Sequence, residues 1–288
     1  MTAGPAPSDT AREAGVFDLH AHLAFYDDPA AAARKLAAAG VGALCATVTP
    51  GEFRALRAAL GGEKNVALAA GLHPWWVRDA SDADALCELL PGVRWVGEVG
   101  LDAAPRHAAT WEAQLAAFER ICRACAETSP PEAPKVLSVH AVRSAGAALD
   151  VLERTGAAES CRCVLHWFSG SSDELWRAVR LGCLFSLGER ALATRRGREY
   201  ARVLPEKRLL TETDLPPFEG SAGGAADIVA SLGLSVDAMS SARGMDPREL
   251  SALIAANAAA LGVPPEPRQT TRTPLSGHGR VDGANQPT

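Results

Sequence analysis

Two histidines separated by a single residue stand at the end of the first apolar segment of the chain. His20 and His22 follow Val16 and Phe17. Because side chains alternate faces along a strand, residues two apart point to the same side. Two imidazoles on one face form a suitable seat for a divalent metal ion. Each histidine could equally cap a turn or pack in the core, so the interpretation depends on the other residues of ligand type.

Those other residues occupy corresponding places, since each ends or follows an apolar segment. They are His73, Glu98, His140, His166 and Asp214. Five of the seven histidines of the chain lie at such positions, and His107 and His278 do not. Glu98 lies within the apolar run VGEVG, where a buried carboxylate needs a partner or a metal. His140 and His166 could also be core histidines, and Asp214 could cap the turn before Pro216.

The segments that carry these residues alternate with helical patterns. Strands are expected at about 16–20, 43–48, 66–72, 95–99, 136–140, 162–167, 184–187 and 208–211. Helices are expected at about 29–39, 52–60, 82–90, 108–127, 171–181 and 247–261, with another ending near 154. This alternation predicts a single-domain α/β fold, a (β/α)8 TIM barrel with its active site at the carboxyl ends of the strands. A doubly wound sheet is the alternative, but no glycine-rich dinucleotide loop follows the first strand.

The predicted barrel domain covers residues 16–263. Residues 1–15 are small and polar and are expected to form a flexible leader, while 264–288 have the composition of a disordered tail. Hydrophobic residues make up 47% of the chain and charged residues 22%, which is typical of a soluble globular protein. No apolar run approaches the ~20 residues of a membrane span, and no signal-peptide pattern is present. A cytoplasmic location without membrane contact is therefore expected.

Charge and cysteine content exclude some functions. The net charge of −5 gives no global positive field, which argues against a tight, non-catalytic DNA-binding protein. The seven cysteines are an odd number within mostly apolar segments, as expected in a reducing compartment. Cys122, Cys125, Cys161 and Cys163 could offer four thiolates to a structural zinc ion, but the helical pattern around the first pair favours ordinary core positions.

The number of candidate ligands indicates more than one metal ion. A catalytic zinc site uses three protein ligands and an open position, and this chain offers six candidates without His73. Six ligands suit two ions ~3.5–4 Å apart that share a bridging carboxylate, an arrangement used to hydrolyse phosphodiesters. In such a site Asp214 could both bind a metal and accept a proton from water.

Eight segments together resemble one known family. They are FDLHAHL (17–23), GLHPW (71–75), VGEVGLD (96–102), SVHAVR (138–143), VLHWFSGS (164–171), LGCLFSLG (181–188), LLTETDLP (209–216) and AAN (255–257). In this order they resemble the TatD family of metal-dependent deoxyribonucleases, which belong to the amidohydrolase-like TIM barrels. The resemblance covers about 16–262, and the ordered set of motifs is highly specific.

The resemblance implies roles for individual residues. His20, His22, Glu98 and Asp214 would hold one divalent ion, and Glu98 would bridge to a second held by His140 and His166. His73 and Glu212 match positions that the family places at the scissile phosphate, so the implied catalytic set is Asp214, Glu98, Glu212 and His73. The two ions could be Zn, Mn or Mg. The chain departs from the common pattern at Ala24, Ala103 and Arg143, which leaves the substrate preference open.

Several residues near the predicted mouth could contact a substrate. Trp75, Trp76 and Trp167 could stack on bases or could simply pack at the rim. Arg143 is a candidate phosphate contact. So are Arg190, Arg195, Arg196 and Arg198, which could instead form a solvated helix face with Glu189 and Glu199.

The leading hypothesis is a deoxyribonuclease that acts on single-stranded or frayed 3′ ends of DNA. A small-molecule amidohydrolase or phosphoesterase on the same barrel is the second, although no lysine ends a strand to serve as a carboxylated metal bridge. The YDDP and HWFSGS segments also resemble the TatD-like member of Qat antiphage defence operons, which implies protein partners from such an operon. A catalytically quiet partner in a defence complex is the third hypothesis, and six convergent ligands argue against it. The sequence leaves the oligomeric state open.

Overall fold

The computed structural model describes residues 16–221 and 223–263. Nine parallel strands form one continuous sheet. They are β1 (Phe17–Ala21), β2 (Gly42–Cys45), β3 (Val66–Leu68), β4 (Ala70–Leu72), β5 (Trp95–Asp102), β6 (Val136–Val142), β7 (Arg162–His166), β8 (Leu184–Leu187) and β9 (Leu209–Thr211). The order in the sheet is β3-β2-β1-β9-β8-β7-β6-β5-β4. The leader and the tail expected from the sequence lie outside the described residues.

The two edges of this sheet are consecutive in the chain. Strands β3 and β4 are separated only by Ala69, and together they correspond to the single third strand expected at 66–72. The first half pairs with β2, and the second half pairs with β5. One bent segment thus joins both edges and closes the sheet, which confirms the (β/α)8 barrel.

Eleven α-helices lie among the described residues. They are α1 (Pro29–Ala38), α2 (Pro50–Leu60), α3 (Asp84–Cys87), α4 (Trp111–Glu127), α5 (Ala145–Arg154), α6 (Ala157–Ser160), α7 (Ser172–Arg180), α8 (Glu189–Leu192), α9 (Arg195–Val203), α10 (Ala225–Arg243) and α11 (Pro247–Ala260). Short 3-10 helices cover Leu23–Phe25, Pro74–Trp76, Ala80–Ala83, Leu90–Gly92, Pro105–Thr110 and Glu206–Arg208. No helix in these two described ranges combines the length and the apolar character needed to cross a bilayer.

The helix starts follow local sequence rules. The Asp28 side chain accepts a hydrogen bond from the Ala31 backbone N–H at the start of α1, and Asp246 accepts from Arg248 and Glu249 at the start of α11. In both helices proline occupies the first turn, where a missing N–H costs nothing. These signals explain why the two starts were predictable from the sequence.

Two helical segments differ from expectation. The helix expected at 82–90 is divided into Ala80–Ala83, the single turn α3 and Leu90–Gly92. Pro91 lacks the N–H that would extend α3 to the end of the expected range. The longest helix, α10, was not expected. Its buried side includes Ser231, Gly233 and Ser235 among its apolar residues, so the helical contrast between polar and apolar residues is weak.

Two apolar clusters support the sheet. The larger packs the outer helices against the strands, with Phe118 and Ile121 of α4 almost fully buried. The smaller takes residues from strands all around the barrel, including Phe17, Leu44 and Val164, and continues to Leu261 after α11. Residues from so many strands can meet only inside the barrel, so the interior is a packed core that holds the strand ends in place.

Candidate active site

Six candidate ligands meet at the carboxyl ends of the strands, and four of their atoms form a first group. The Nε2 atoms of His20 and His22 lie 3.3 Å apart. Oε2 of Glu98 lies 3.2 Å from Nε2 of His20 and 3.4 Å from Nε2 of His22. Oδ1 of Asp214 lies 3.8 Å and 3.3 Å from the same two nitrogens. All four atoms could therefore face one ion.

The other oxygen of Glu98 faces a second group. Oε1 lies 2.5 Å from Nδ1 of His140 and 2.9 Å from Nε2 of His166. Nε2 of His73 is 3.4 Å from the same oxygen. The two nitrogens of His140 and His166 are 3.3 Å apart. Glu98 is thus the shared member of both groups, which is the position that a bridging carboxylate would take.

The donor set fits divalent metal ions. Three overlapping groups each bring three ligand atoms within 4.8 Å of one another, and each contains at least two histidines. Imidazole nitrogens so close together cannot all be protonated without repulsion, whereas their lone pairs could converge on a cation. The ligand roles of His20, His22, Glu98, His140, His166 and Asp214 stay predictions that this geometry supports.

Backbone packing fixes the position of Glu98. Its backbone N–H donates a hydrogen bond to the carbonyl oxygen of Thr47. Gly71 packs directly against both of these backbone atoms. A Cβ on Gly71 would lie 1.8 Å from that Thr47 carbonyl oxygen and 2.6 Å from the Glu98 nitrogen. The second strand, the third strand and Glu98 can approach one another only because residue 71 has no side chain.

Asp18 joins the first and last strands beneath the cluster. Its carboxylate accepts hydrogen bonds from the backbone N–H of His20 and from both the N–H and the hydroxyl of Thr213. The N–H of Asp214 donates to the carbonyl of His20 over 2.8 Å. Asp214 has a φ of 57°, a left-handed conformation unusual outside glycine. These contacts hold Asp214 beside the histidine pair.

Burial and close charges shift the pKa values of this cluster in opposite directions. Burial acts to raise the pKa of Glu98, but the nearby imidazoles, those of His73 and His166 first, hold it well below its usual range. Burial lowers the pKa of His20 to about 4. Burial also opposes charge on His22, yet Asp214 and Glu98 raise its pKa to about 10. Without a metal, the positive charge that balances the carboxylates is therefore concentrated on particular histidines.

Two of the histidines face a further polar side chain through the ring nitrogen that points away from Glu98. The Ser138 hydroxyl lies 2.7 Å from Nδ1 of His20. Oδ2 of Asp102 lies 3.7 Å from Nε2 of His140. Metal-binding histidines commonly pair their second nitrogen with a hydroxyl or a carboxylate, which fixes the tautomer and the ring orientation. The contact of His20 with Ser138 is a hydrogen bond, whereas 3.7 Å between His140 and Asp102 is longer than one. Sequence reasoning missed Asp102 and Ser138 beside these histidines and Asp18 beneath them, although Asp102 stands in the VGEVGLD segment.

Glu212 lies behind the cluster and not at the cleft surface. It is 1% exposed, its Oε1 accepts the Trp167 backbone N–H over 2.8 Å, and its Oε2 accepts the Ser186 hydroxyl. Oε2 also lies 3.7 Å from Nδ1 of His166. Glu212 is not among the residues that line the cleft, so the direct contact with a phosphate expected for it has no support in this arrangement.

The cluster opens into a cleft of about 730 Å³. Its lining includes His73, Trp75, Trp76, Trp167 and Phe218. Trp75 and Trp167 are 38% and 36% exposed, so both rings present surface to the cleft. The predicted phosphate contact Arg143 is exposed and is not among the lining residues. The aromatic part of the predicted substrate set therefore lies in the cleft.

Two other arginines line the cleft. The guanidinium of Arg106 lies 4.8 Å from the Trp75 ring, and that of Arg190 lies 5.6 Å from the Trp167 ring. Nη1 of Arg190 is also 3.7 Å from Oδ2 of Asp214. Arg106 was not predicted from the sequence, because no motif surrounds it. Arg195, Arg196 and Arg198 lie on α9 and are not among the residues that line this cleft.

The cysteines lie apart from this site. Cys122, Cys125, Cys161 and Cys163 are buried in the core, and burial raises the pKa of each thiol. Within 16–221 and 223–263, the groups of side chains that could hold a metal contain no cysteine. The favoured interpretation of these residues as core positions agrees with their burial.

The fold and the site define an α/β barrel with a buried cluster of histidines and carboxylates at the carboxyl ends of its strands. The family model described as TatD-related DNase matches residues 17–261. The chain therefore belongs to the TatD family.

Curated relatives share part of this chain. It is similar to a 3′–5′ ssDNA/RNA exonuclease TatD of Citrobacter rodentium, with 31% identity over 201 residues that cover 66% of this chain and 74% of that protein. A protein of the same name from Edwardsiella piscicida is 35% identical over 155 residues, which cover 51% of this chain and 56% of that protein. The match thus spans little more than half the length of the second relative.

Solved structures show the same fold over most of the chain. The TatD homologue YjjV of Escherichia coli superposes with a TM-score of 0.73 at 22% identity, covering 86% of this chain and 98% of that one. A TatD family hydrolase of Entamoeba histolytica gives a TM-score of 0.67 at 16% identity and covers 86% and 97%. At these identities the likeness concerns the barrel itself.

Proposed function

We propose that this protein is a metal-dependent nuclease that hydrolyses phosphodiester bonds of single-stranded DNA or of unpaired 3′ ends. The observation that carries the proposal is the position of Glu98, whose two oxygens face two separate groups of histidine nitrogens. Membership of the TatD family and the names of its exonuclease relatives support the same reaction class.

Two divalent ions would be held by two groups of residues that share Glu98. The first group is His20, His22, Glu98 and Asp214, and the second is Glu98, His140 and His166. Bound there, two ions of Zn, Mn or Mg would supply Lewis-acid chemistry and a water-derived nucleophile at neutral pH. His73 lines the cleft, and its Nε2 lies 3.4 Å from Oε1 of Glu98, the oxygen that faces His140 and His166. His73 is therefore placed to contact a phosphate oxygen. Asp214 is placed to accept a proton through Oδ2, which points away from the histidine pair toward Arg190.

The cleft supports an unpaired strand as the substrate. Bases can stack on exposed tryptophans only when they are not enclosed in a duplex, and Trp75, Trp76 and Trp167 all present their rings at the mouth. Arg106 and Arg190 add positive charge next to two of these rings. The chain as a whole is negatively charged, so contact with nucleic acid would be confined to this cleft.

A direct assay tests the proposal. Fluorescently labelled single-stranded DNA, duplex DNA and single-stranded RNA are incubated with purified protein and Mg²⁺, Mn²⁺ or Zn²⁺, with and without EDTA. We expect metal-dependent shortening of the single strands that EDTA prevents. Absence of cleavage with every metal, or cleavage that persists in EDTA, would contradict the proposal.

A role in antiphage defence is the finer part of this proposal, and it rests on the YDDP and HWFSGS segments. It implies a cytoplasmic protein with partners from the same operon. Plaque counts on cells that carry the operon with wild-type protein or with Glu98→Gln would test it, and equal protection by both would contradict a catalytic role in defence.

A further inference from the structure

Two buried carboxylates stand behind the candidate second metal position. Oδ2 of Asp102 lies 3.7 Å from Nε2 of His140, and Oε2 of Glu212 lies 3.7 Å from Nδ1 of His166. These are the ring nitrogens that point away from Glu98, and both are buried without a hydrogen-bond partner. Each histidine is therefore placed between Glu98 on one side and a second carboxylate on the other.

The same two carboxylates also hold the tryptophans at the mouth. Oδ2 of Asp102 accepts the indole N–H of Trp75 over 2.6 Å. Oε1 of Glu212 accepts the backbone N–H of Trp167, whose φ of 42° is a left-handed conformation that an unsupported tryptophan seldom adopts. One carboxylate thus fixes an indole ring, and the other fixes the backbone that presents an indole ring.

The two tryptophans lie on widely separated parts of the rim. Trp75 follows the third segment of the barrel, and Trp167 follows the sixth, with β5 and β6 between them in the sheet. In a ring of eight segments, positions three apart are well over a quarter of the circumference from each other. A single-stranded nucleic acid that contacted both rings would pass the histidine and carboxylate cluster, since both rings and most of the cluster line the same cleft.

Further hydrogen bonds fix both carboxylates in place. Oδ1 of Asp102 accepts the Ala104 N–H, and the Asp102 N–H donates to the buried side chain of Gln114. Glu212 accepts the hydroxyl of Ser186. A shift of either carboxylate toward its histidine would therefore weaken its hydrogen bond to the tryptophan. A shift toward the tryptophan would likewise increase its distance from the histidine.

We propose that Asp102 and Glu212 are positioning residues, each of which couples one histidine of the second metal position to one tryptophan of the mouth. The part that concerns nucleic acid rests on the proposed substrate, and the part that concerns metal affinity rests on the proposed second metal position alone. The consequence is that binding of a single strand at the mouth and binding of an ion at His140 and His166 depend on the same two carboxylates.

Three variants separate the two halves of the Asp102 link and remove the histidine half of the Glu212 link. Asp102→Asn offers one oxygen to two donors, Ala104 and Trp75, and no negative charge to His140. Glu212→Gln can keep its oxygen on the Trp167 N–H while its amide donates to Ser186, so only the pairing with His166 is lost. Trp75→Phe removes the indole N–H and leaves the Asp102 carboxylate behind His140.

Mn²⁺ affinity and stoichiometry are measured by titration calorimetry, and binding of a fluorescein-labelled oligo-dT strand is measured by anisotropy in EDTA. Loss of a carboxylate behind a metal-binding histidine costs about 10–100-fold in affinity, so we expect that loss for one Mn²⁺ in Asp102→Asn and Glu212→Gln. Asp102→Asn and Trp75→Phe should weaken oligo-dT binding, while Glu212→Gln should not. The double variant Asp102→Asn/Trp75→Phe should bind oligo-dT no more weakly than Asp102→Asn alone.

Asp150→Asn and Trp176→Phe are matched controls, because both residues are exposed on helices outside the cleft. Wild-type Mn²⁺ affinity in both Asp102→Asn and Glu212→Gln would overturn the proposal for the histidines. Additive losses of oligo-dT affinity in the double variant would overturn the link between Asp102 and Trp75. If wild-type protein bound no oligo-dT, the proposed function would fail with the tryptophan half, and the Mn²⁺ result would still decide the other half.

Discussion

The Nε2 atom of His22 lies 3.3 Å from Oδ1 of Asp214, and this carboxylate keeps the imidazole protonated in the absence of metal. Together with Glu98 it raises the pKa of His22 to about 10. A histidine must be neutral to bind a metal ion, so an incoming ion has to displace this proton. The two residues thus link metal affinity to pH.

We therefore predict that metal binding at neutral pH releases at least one proton. A raised pKa means that His22 stays protonated from neutral pH up to about 10. Over that range metal affinity should rise with pH, by about tenfold per unit for each proton displaced. Titration calorimetry of Mn²⁺ in buffers of different ionisation enthalpy counts the protons, and an enthalpy that does not depend on the buffer would contradict the prediction.

Arg190 provides a test of the cleft charge. Its guanidinium lies over Trp167 and 3.7 Å from Oδ2 of Asp214, whereas the exposed Arg195 lies outside the cleft on α9. We predict that Arg190→Ala weakens oligonucleotide binding and lowers the slope of log affinity against log salt by about 1, as for one lost phosphate contact. Arg195→Ala is the control and should behave as wild type. Equal effects of the two substitutions would mean that binding is not confined to the cleft.

Gly71 tests the packing that places Glu98. A Cβ at residue 71 would overlap the Thr47 carbonyl and the Glu98 nitrogen, so Gly71→Ala must displace the strand ends. Overpacking lowers the free energy of unfolding by about 1–3 kcal/mol. Because the neighbours of residue 71 are backbone atoms that cannot rotate away, we expect a loss at the upper end of this range. We expect a lower Tm and weaker Mn²⁺ binding. Gly92→Ala is the matched control, because no heavy atom lies within 4 Å of its Cβ; a wild-type Tm in Gly71→Ala would refute this account of the packing.

The strand ends and their ligand residues could be predicted because they depend on local signals. Each strand is a short apolar run bounded by polar or glycine residues, and seven of the eight expected segments correspond to single strands. The third could not be resolved into β3 and β4, because the division at Ala69 follows from pairing with two different neighbours. The small-residue helix α10 was missed for lack of periodic contrast.

The support around the site was harder to predict. Asp102 and Glu212 are single acidic residues near strand ends, and nothing local shows that they lie behind His140 and His166. Arg143 is three residues from His140 in the sequence, yet it is exposed and does not line the cleft. Its backbone has a φ of 54°, which no local sequence signal indicates. Such features depend on contacts between strands that are far apart in the chain.

We propose that Glu98 holds two ions, one through each carboxylate oxygen. Glu98→Gln preserves the size of the side chain but removes the charge and one oxygen ligand. Elemental analysis of the purified variant after equilibration with Mn²⁺, together with single-turnover cleavage of a short DNA strand, tests the claim directly. We predict that wild-type protein retains two ions per chain, that the variant retains at most one, and that its cleavage is abolished while its fold persists. Two retained ions with full cleavage in Glu98→Gln would contradict the claim.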